Sequence, residues 1–268
     1  MPSIQLTTRL RDEYNKLFNN CAIRPDRASE VESIVRKIEA NRSTYEKVDT
    51  SLGVPWYVVA VIHNMESSLN FTKHLHNGDP LTARTVQVPA GRPNTGNPPF
   101  TWEQSAADAL TLKGLGADTD WSMAGTLYRL EQYNGWGYRL HHPEVLSPYL
   151  WSYSNQYTSG KYVADGVWSN TAVSKQCGAA AILRRMAEKS MFEFADQPLA
   201  EKDSEPLVVA HSNRKSKDPE IVAGAEELQR WLNTFDGIFV KVDGVPGDRT
   251  SEAFKRVTGV FLPGDPRA

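Results

Sequence analysis

Apolar positions recur with helical spacing over most of the chain. In "TTRLRDEYNKLF", Leu10, Tyr14 and Leu17 fall on one face at i, i+4, i+7. "RPDRASEVESIVRKIEAN" repeats the pattern with Val31, Ile34 and Ile38, and offers Asp26 or Ser29 as N-caps. In "GVPWYVVAVIHNMESS", Trp56 to Met65 is apolar almost all round, which predicts a helix buried on every side, with Pro55 at its start. From His76 to Pro99 the pattern changes to "HNGDPLTARTVQVPAGRPNTGNPP", rich in Gly, Pro and Asn. This predicts a long loop whose only strand is "TVQV".

Helical spacing returns in "TWEQSAADALTLKG", with Thr101 as cap, and in "WSMAGTLYRLEQYNG", which Gly135 ends. An aromatic, loop-like stretch follows, and then a helix within "TAVSKQCGAAAILRRMAEK". Around residues 195–219 the composition turns polar, with one short strand expected at "PLVVA". "EIVAGAEELQRWLNTF" and "TSEAFKRVTG" then predict two helices joined by the glycine turn "VDGVPGDRT", with Thr250 as cap of the second. There is no internal repeat. The expected organisation is a catalytic-sized domain at 1–193, a linker at 194–217 and a small helical domain at 218–268.

At 268 residues the chain can hold one large domain or a medium one with a small companion. Its net charge of −2 gives no general basic field, so nucleic acid is not an expected partner. No segment has the length of a membrane span, and "MPSIQLTTRLRDEYNKLFNNC" lacks an apolar signal-peptide core. The expectation is a monomer made in the cytoplasm, with any target outside it reached by release or export. Cys21 and Cys177 permit one long-range disulfide; two buried free thiols are the simpler expectation.

The chemistry centres on Glu66, where the buried helix finishes. A helix C-terminus and apolar neighbours (Val59, Ile62, Met65) both disfavour a carboxylate, so a raised pKa and a general-acid role are expected. Asp79, thirteen positions on, sits in a polar turn where backbone donors and Asn77 would keep it ionised. Two carboxyls with pKa values pushed apart are the usual machinery for cleaving a glycosidic bond. Thr82 and Thr85 supply hydroxyls near Asp79. His63, His74 and His76, together with Glu66 and Asp79, also allow a zinc site, although the spacing is not H-E-x-x-H. Tyr133, Asn134, Trp136 and Tyr138, then Tyr149, Trp151, Tyr153, Tyr157, Tyr162 and Trp168, offer aromatic faces of the kind that bind sugar rings, or an aromatic core layer.

"MESSLNF" resembles the segment around the catalytic glutamate of lysozyme-fold lytic transglycosylases and goose-type lysozymes. "EQYNGWGYR" resembles their downstream A-Y-N-x-G motif. Asp79 and Thr85 are similar to the D-x5-T part of the Glu–Asp–Thr arrangement of phage-type lysozymes, but the Glu-to-Asp gap is longer here. "LQRWLNTF" with "VKVDGVPGDRTSEAFKRVTG" is similar to small peptidoglycan-binding domains through Leu228, Gln229, Leu232, Asn233, Asp243, Gly244, Gly247 and Thr250.

These resemblances imply a mainly α chain: a lysozyme-like helical domain with a small β/loop region, plus a C-terminal peptidoglycan-binding domain. The implied activity is cleavage of the bond between N-acetylmuramic acid and N-acetylglucosamine, without a cofactor or metal, on bacterial cell-wall peptidoglycan. Glu66 would be the proton donor, Asp79 the second carboxylate, and Thr85 the group that orients water. His63, Asn77, Tyr133, Asn134, Trp136 and Tyr138 would hold substrate. The rivals are a zinc amidase or peptidase, a chitin-directed hydrolase, and a non-catalytic wall-binding protein.

Overall fold

The structure, a computed structural model, describes residues 4–195 and 208–268. Among these the chain is mainly helical: eleven α-helices, a single 3-10 turn (Pro25–Arg27) and one two-stranded hairpin. It divides into two compact units, residues 1–14 with 21–186, and residues 15–20 with 187–268. No helix among the described residues is long and apolar enough to cross a membrane.

In the larger unit, α4 (Trp56–Ser67) is the central element. Trp56 through Met65 are all buried, as the unbroken apolar run predicts. α3 (Arg42–Leu52) packs on α4 and on α5 (Trp102–Leu112). The α3–α4 turn runs through Gly53, where φ is 69° and an added Cβ would stand 2.6 Å from the Ala117 Cβ, so only glycine fits. The Asp49 carboxylate accepts from the Trp56 N–H at 3.0 Å and satisfies the start of α4. Thr101 caps α5 in a full capping box with Gln104.

α1 (Thr8–Asn19) buries Leu10, Tyr14 and Phe18, with Leu17 only half-buried. α2 (Ala28–Ala40) buries Val31, Val35 and Ile38, with Ile34 turned toward a cleft. Neither Asp26 nor Ser29 caps α2; the Pro25–Arg27 turn leads into it, and Arg27 stands at the cap without a side-chain bond. α6 (Met123–Asn134) is tied down by a buried polar network. Tyr14 donates to the Glu131 carboxylate at 2.6 Å, and Arg139 bonds Glu131 and Glu13, each at 2.9 Å. This network fixes both ends of the Tyr133–Tyr138 segment, since Arg139 belongs to α7 (Gly137–His141).

Two strand expectations are corrected. Thr85–Val88 is loop: Val86 and Val88 are 79% and 90% exposed, and the Val86 and Gln87 N–H groups are given to the Asp79 carboxylate, not to a partner strand. At "PLVVA", Pro206 and Leu207 lie outside the described residues, and residues 208–210 form no strand. The hairpin lies instead in the aromatic stretch: β1 (Lys161–Ala164) pairs antiparallel with β2 (Val167–Ser169) across Asp165-Gly166. α8 (Pro148–Trp151) precedes this hairpin and α9 (Ala179–Glu188) follows it. Cys21 and Cys177 are buried free thiols.

In the smaller unit, α10 (Pro219–Leu232) and α11 (Asp248–Thr258) close over Leu228, Leu232, Phe235, Ile238, Val240, Phe254 and Leu262. Gln229, only 1% exposed, is the hub of the glycine turn. Its amide donates to Asp243, the Val245 carbonyl and Thr250, and its oxygen accepts from the Asp243 and Gly244 N–H groups. Gly244 has φ 72°, and a Cβ there would meet Val222 at 2.7 Å. Thr250 does not cap α11: Gly247 holds that position, and the Thr250 hydroxyl is drawn inward to Gln229.

Gln229→Ala removes five hydrogen bonds and leaves the Asp243 and Gly244 N–H groups without their acceptor. It should lower the stability of this unit by about 2–3 kcal/mol, read as an earlier denaturation midpoint, because unpaired buried groups lose both water and partner. Gln229→Glu, which keeps the acceptor but places a carboxylate against Asp243, should cost at least as much.

Candidate active site

Glu66 is the penultimate residue of α4, and its side chain is half-buried. Tyr149, from α8, donates its hydroxyl to Glu66 Oε1 at 3.1 Å. Burial pushes the Glu66 carboxyl up from its ordinary 4.5 to about 7, against the Tyr149 hydrogen bond and the positive charge of Lys113, which both pull it down. Burial raises the phenol of Tyr133, at the end of α6, and the nearby Glu66 charge adds to it. Lys113 donates to the Tyr133 carbonyl at 3.3 Å and stands 4.7 Å over its ring. A half-buried acid is thus held between two tyrosines with a lysine nearby.

Beyond Glu66 the chain leaves the helix through two left-handed residues, Ser68 at φ 53° and Leu69 at φ 60°. Leucine rarely adopts this conformation, and such strain gathers at functional sites. Gln176 reaches back to donate to the Met65 carbonyl at 2.7 Å, satisfying an open end of α4.

Two clefts flank this point. One, of about 350 Å³, is lined by Asn134, Tyr138, Tyr149, Lys161, Tyr162 and Gln176, among others. The other, of about 560 Å³, contains Lys37, Asn64, Ser68, Leu69, Lys161 and Gln176. Lys161, Ser174 and Gln176 line both, so the two clefts meet at a shared wall beside the end of α4.

Asp79 has the opposite environment. Its Oδ2 accepts from Val86 N at 2.8 Å, from Gln87 N at 3.1 Å and from the Asn77 amide at 3.1 Å. The Gln87 and Val86 N–H groups hold its carboxyl below the usual range. The turn carrying it lies near the helix end, since a Cβ on Gly78 would be 3.6 Å from the Glu66 carbonyl.

The structure brings Glu66, Tyr133, Asn134 and Tyr138 to one region, and corrects several other expectations. His63 is 0% exposed and cannot touch a ligand in the groove. It lies in an aromatic cage of Tyr45, Phe71 and Trp102, its Nδ1 3.1 Å from the Tyr45 hydroxyl, and burial pushes it down to about 4. Trp136 is buried on Tyr128, ring centres 5.1 Å apart. Asn77 is committed to the Asp79 turn. The Thr85 hydroxyl donates to the Pro89 carbonyl and accepts from Arg92 N, so it clasps the loop and does not hold water.

The histidines do not converge as zinc ligands. His74 bonds Ser105 and the Ala83 carbonyl, and His76 bonds Asp108, which Arg92 also clamps. The one group among the described residues with metal-ligand spacing is His211, Asp248 and Asp265, in the smaller unit. Arg267 already neutralises it, at 2.8 Å from Asp265.

Sequence reasoning missed Tyr149 as the partner of Glu66, and missed Gln176, Lys113 and Lys161 altogether. Of the aromatic stretch, Trp151, Tyr153 and Tyr157 are core, while Tyr149, Tyr162 and Trp168 surround the groove and its hairpin. No protein-family model, curated protein or solved structure matches the chain.

The folded state holds the Glu66 proton more tightly than the unfolded chain does. This group's contribution to stability should therefore fall as pH rises from 4.5 to about 7. Glu66→Gln should lack that dependence, so the stability difference between the two proteins should carry the slope. In carbon-13 NMR titration the wild-type carboxyl should show a midpoint near 7. Tyr149→Phe should move the midpoint higher, because it deletes the donor that favours the ionised form.

Proposed function

We propose that the chain is a peptidoglycan-cleaving glycosidase: a lysozyme-like catalytic unit cutting between N-acetylmuramic acid and N-acetylglucosamine, with a C-terminal wall-binding module. The observation that carries this reading is a carboxylic acid with a pKa of about 7 hydrogen-bonded to Tyr149, which itself lines an aromatic cleft. Near neutral pH such a group is still partly protonated, while its conjugate base can take a proton back.

In this mechanism Glu66 gives its proton to the glycosidic oxygen as the bond to the sugar carbon breaks. Tyr149 fixes the carboxyl through Oε1, and Oε2 is the oxygen that carries the transferred proton. Tyr138 and Tyr162 offer ring faces, and Asn134 an amide, to the sugars. The Glu66 carboxylate then accepts a proton from the nucleophile that attacks the oxocarbenium-like centre. With water this gives hydrolysis; with the muramoyl 6-hydroxyl it gives a 1,6-anhydro product. Asp79, ionised and bound to its own loop, serves as a fixed negative charge near the helix end. The smaller unit keeps the residue pattern of peptidoglycan-binding domains around the Gln229 hub, which supports its assignment as the module that holds the wall.

Glu66→Gln should lower the rate of glycan cleavage by at least about a hundredfold and leave binding to intact walls unchanged. Wild-type activity should decline as pH rises through about 7, where the acid form is lost. Mass spectrometry of digested muropeptides reads the cleavage and separates a reducing end from an anhydro end. Full cleavage by the Glu66→Gln protein rejects the assignment.

A further inference from the structure

The larger cleft plays no part in moving the proton, yet its charge is distinctive. Lys37 from α2, Lys161 at the start of β1 and Lys175 in the loop before α9 all line it. Among the described residues none of the three forms an ion pair. The one acid in the lining, Glu30, is engaged: it accepts from the Tyr153 hydroxyl at 2.8 Å and lies 3.5 Å from Arg27. The cleft is therefore net positive in a chain whose net charge is −2. It also adjoins the end of α4 that carries the acid, because Ser68 and Leu69 line it, and Gln176, which holds the Met65 carbonyl, lines both clefts as Lys161 does.

We propose that this lysine cleft binds a carboxylate-bearing substituent of the glycan, so that the site selects an acidic polymer over a neutral one. The proposal rests on the glycosidase reading above. A strand whose sugars lie along Tyr138, Tyr149 and Tyr162 would carry a branch past Gln176 into the company of three cations. Unpaired like charges in a concave wall raise the local concentration of an oppositely charged ligand. A neutral glycan gains nothing there. The carboxylate can belong to a peptide branch or to the sugar itself.

The test compares wild type, Glu66→Gln and the triple variant Lys37→Gln/Lys161→Gln/Lys175→Gln on three soluble wall-fragment substrates. These are native fragments, fragments whose carboxyls have been converted to neutral amides with carbodiimide and methylamine, and strands stripped of their peptides. On native fragments the triple variant should show KM raised about tenfold, with kcat retained and the difference shrinking in high salt. Capping the carboxyls should raise the wild-type KM to the same level and leave the triple variant unmoved. Stripping frees the lactyl carboxyl that the peptide had amidated, so a KM at the capped level for stripped strands places the recognised carboxylate on the peptide, and a native KM that rises once the stripped strands are themselves amidated shows that a sugar carboxylate serves as well.

A triple variant with the native KM, or capping that weakens both proteins equally, overturns the proposal while leaving Glu66 in place. A wild type that cleaves none of the three substrates removes the glycosidase reading and this proposal together. Lys→Glu at the same three positions should deepen the KM effect, whereas neutral packing changes would not.

Discussion

The constraint on which the rest depends is the burial of α4 on all its sides. Ten consecutive residues, Trp56 to Met65, are removed from water. Each large apolar side chain among them contributes about 1.5–3 kcal/mol. Against that sum, the discomfort of one carboxyl at the helix end cannot move the helix. Glu66 must adapt, and the adaptation open to a carboxyl is to keep its proton. The chemistry of the site therefore follows from core packing. Any change that let the end of α4 swing into water would lower the Glu66 pKa before it unfolded the domain.

The groove is assembled around this fixed point by segments distant in sequence. Tyr149 arrives on the four-residue helix α8, Gln176 on a loop, and Lys161 on the hairpin. None of these pieces is long enough to be stable alone. Each is anchored by buried aromatics beside it: Trp151 for α8, Tyr153 and Tyr157 for the loops. The aromatic richness of residues 149–168 thus serves the core and the groove at once.

Legibility followed the range of the forces involved. The apolar run of α4, the Thr101 capping box and the glycine turn at Gly244 are local, and each could be read from a few neighbouring residues. The "TVQV" strand failed because β-propensity says nothing about where backbone N–H groups go, and a side chain seven residues earlier took two of them. The hairpin at Asp165-Gly166 carried a turn signal that was masked by the aromatic residues around it. His63 was misplaced because a helix buried on every side has no face that periodicity can assign to a ligand. The Tyr149–Glu66 bond joins positions 83 residues apart, and no local pattern encodes it.

The two carboxyls expected from the sequence were expected to differ, and the structure supplies the physical reason. Glu66 has one donor, a phenol, and sits where the helix carbonyls face it. Asp79 has two backbone N–H groups and an amide converging on a single oxygen. Removing a proton is costly in the first setting and easy in the second. A residue stabilised so firmly as an anion is a weak proton acceptor, since the hydrogen bonds that lower its pKa also lower its basicity. In the proposed glycosidase reaction, the demand for a base in the second half would therefore return to Glu66. A pKa near 7 would let one group serve in both directions.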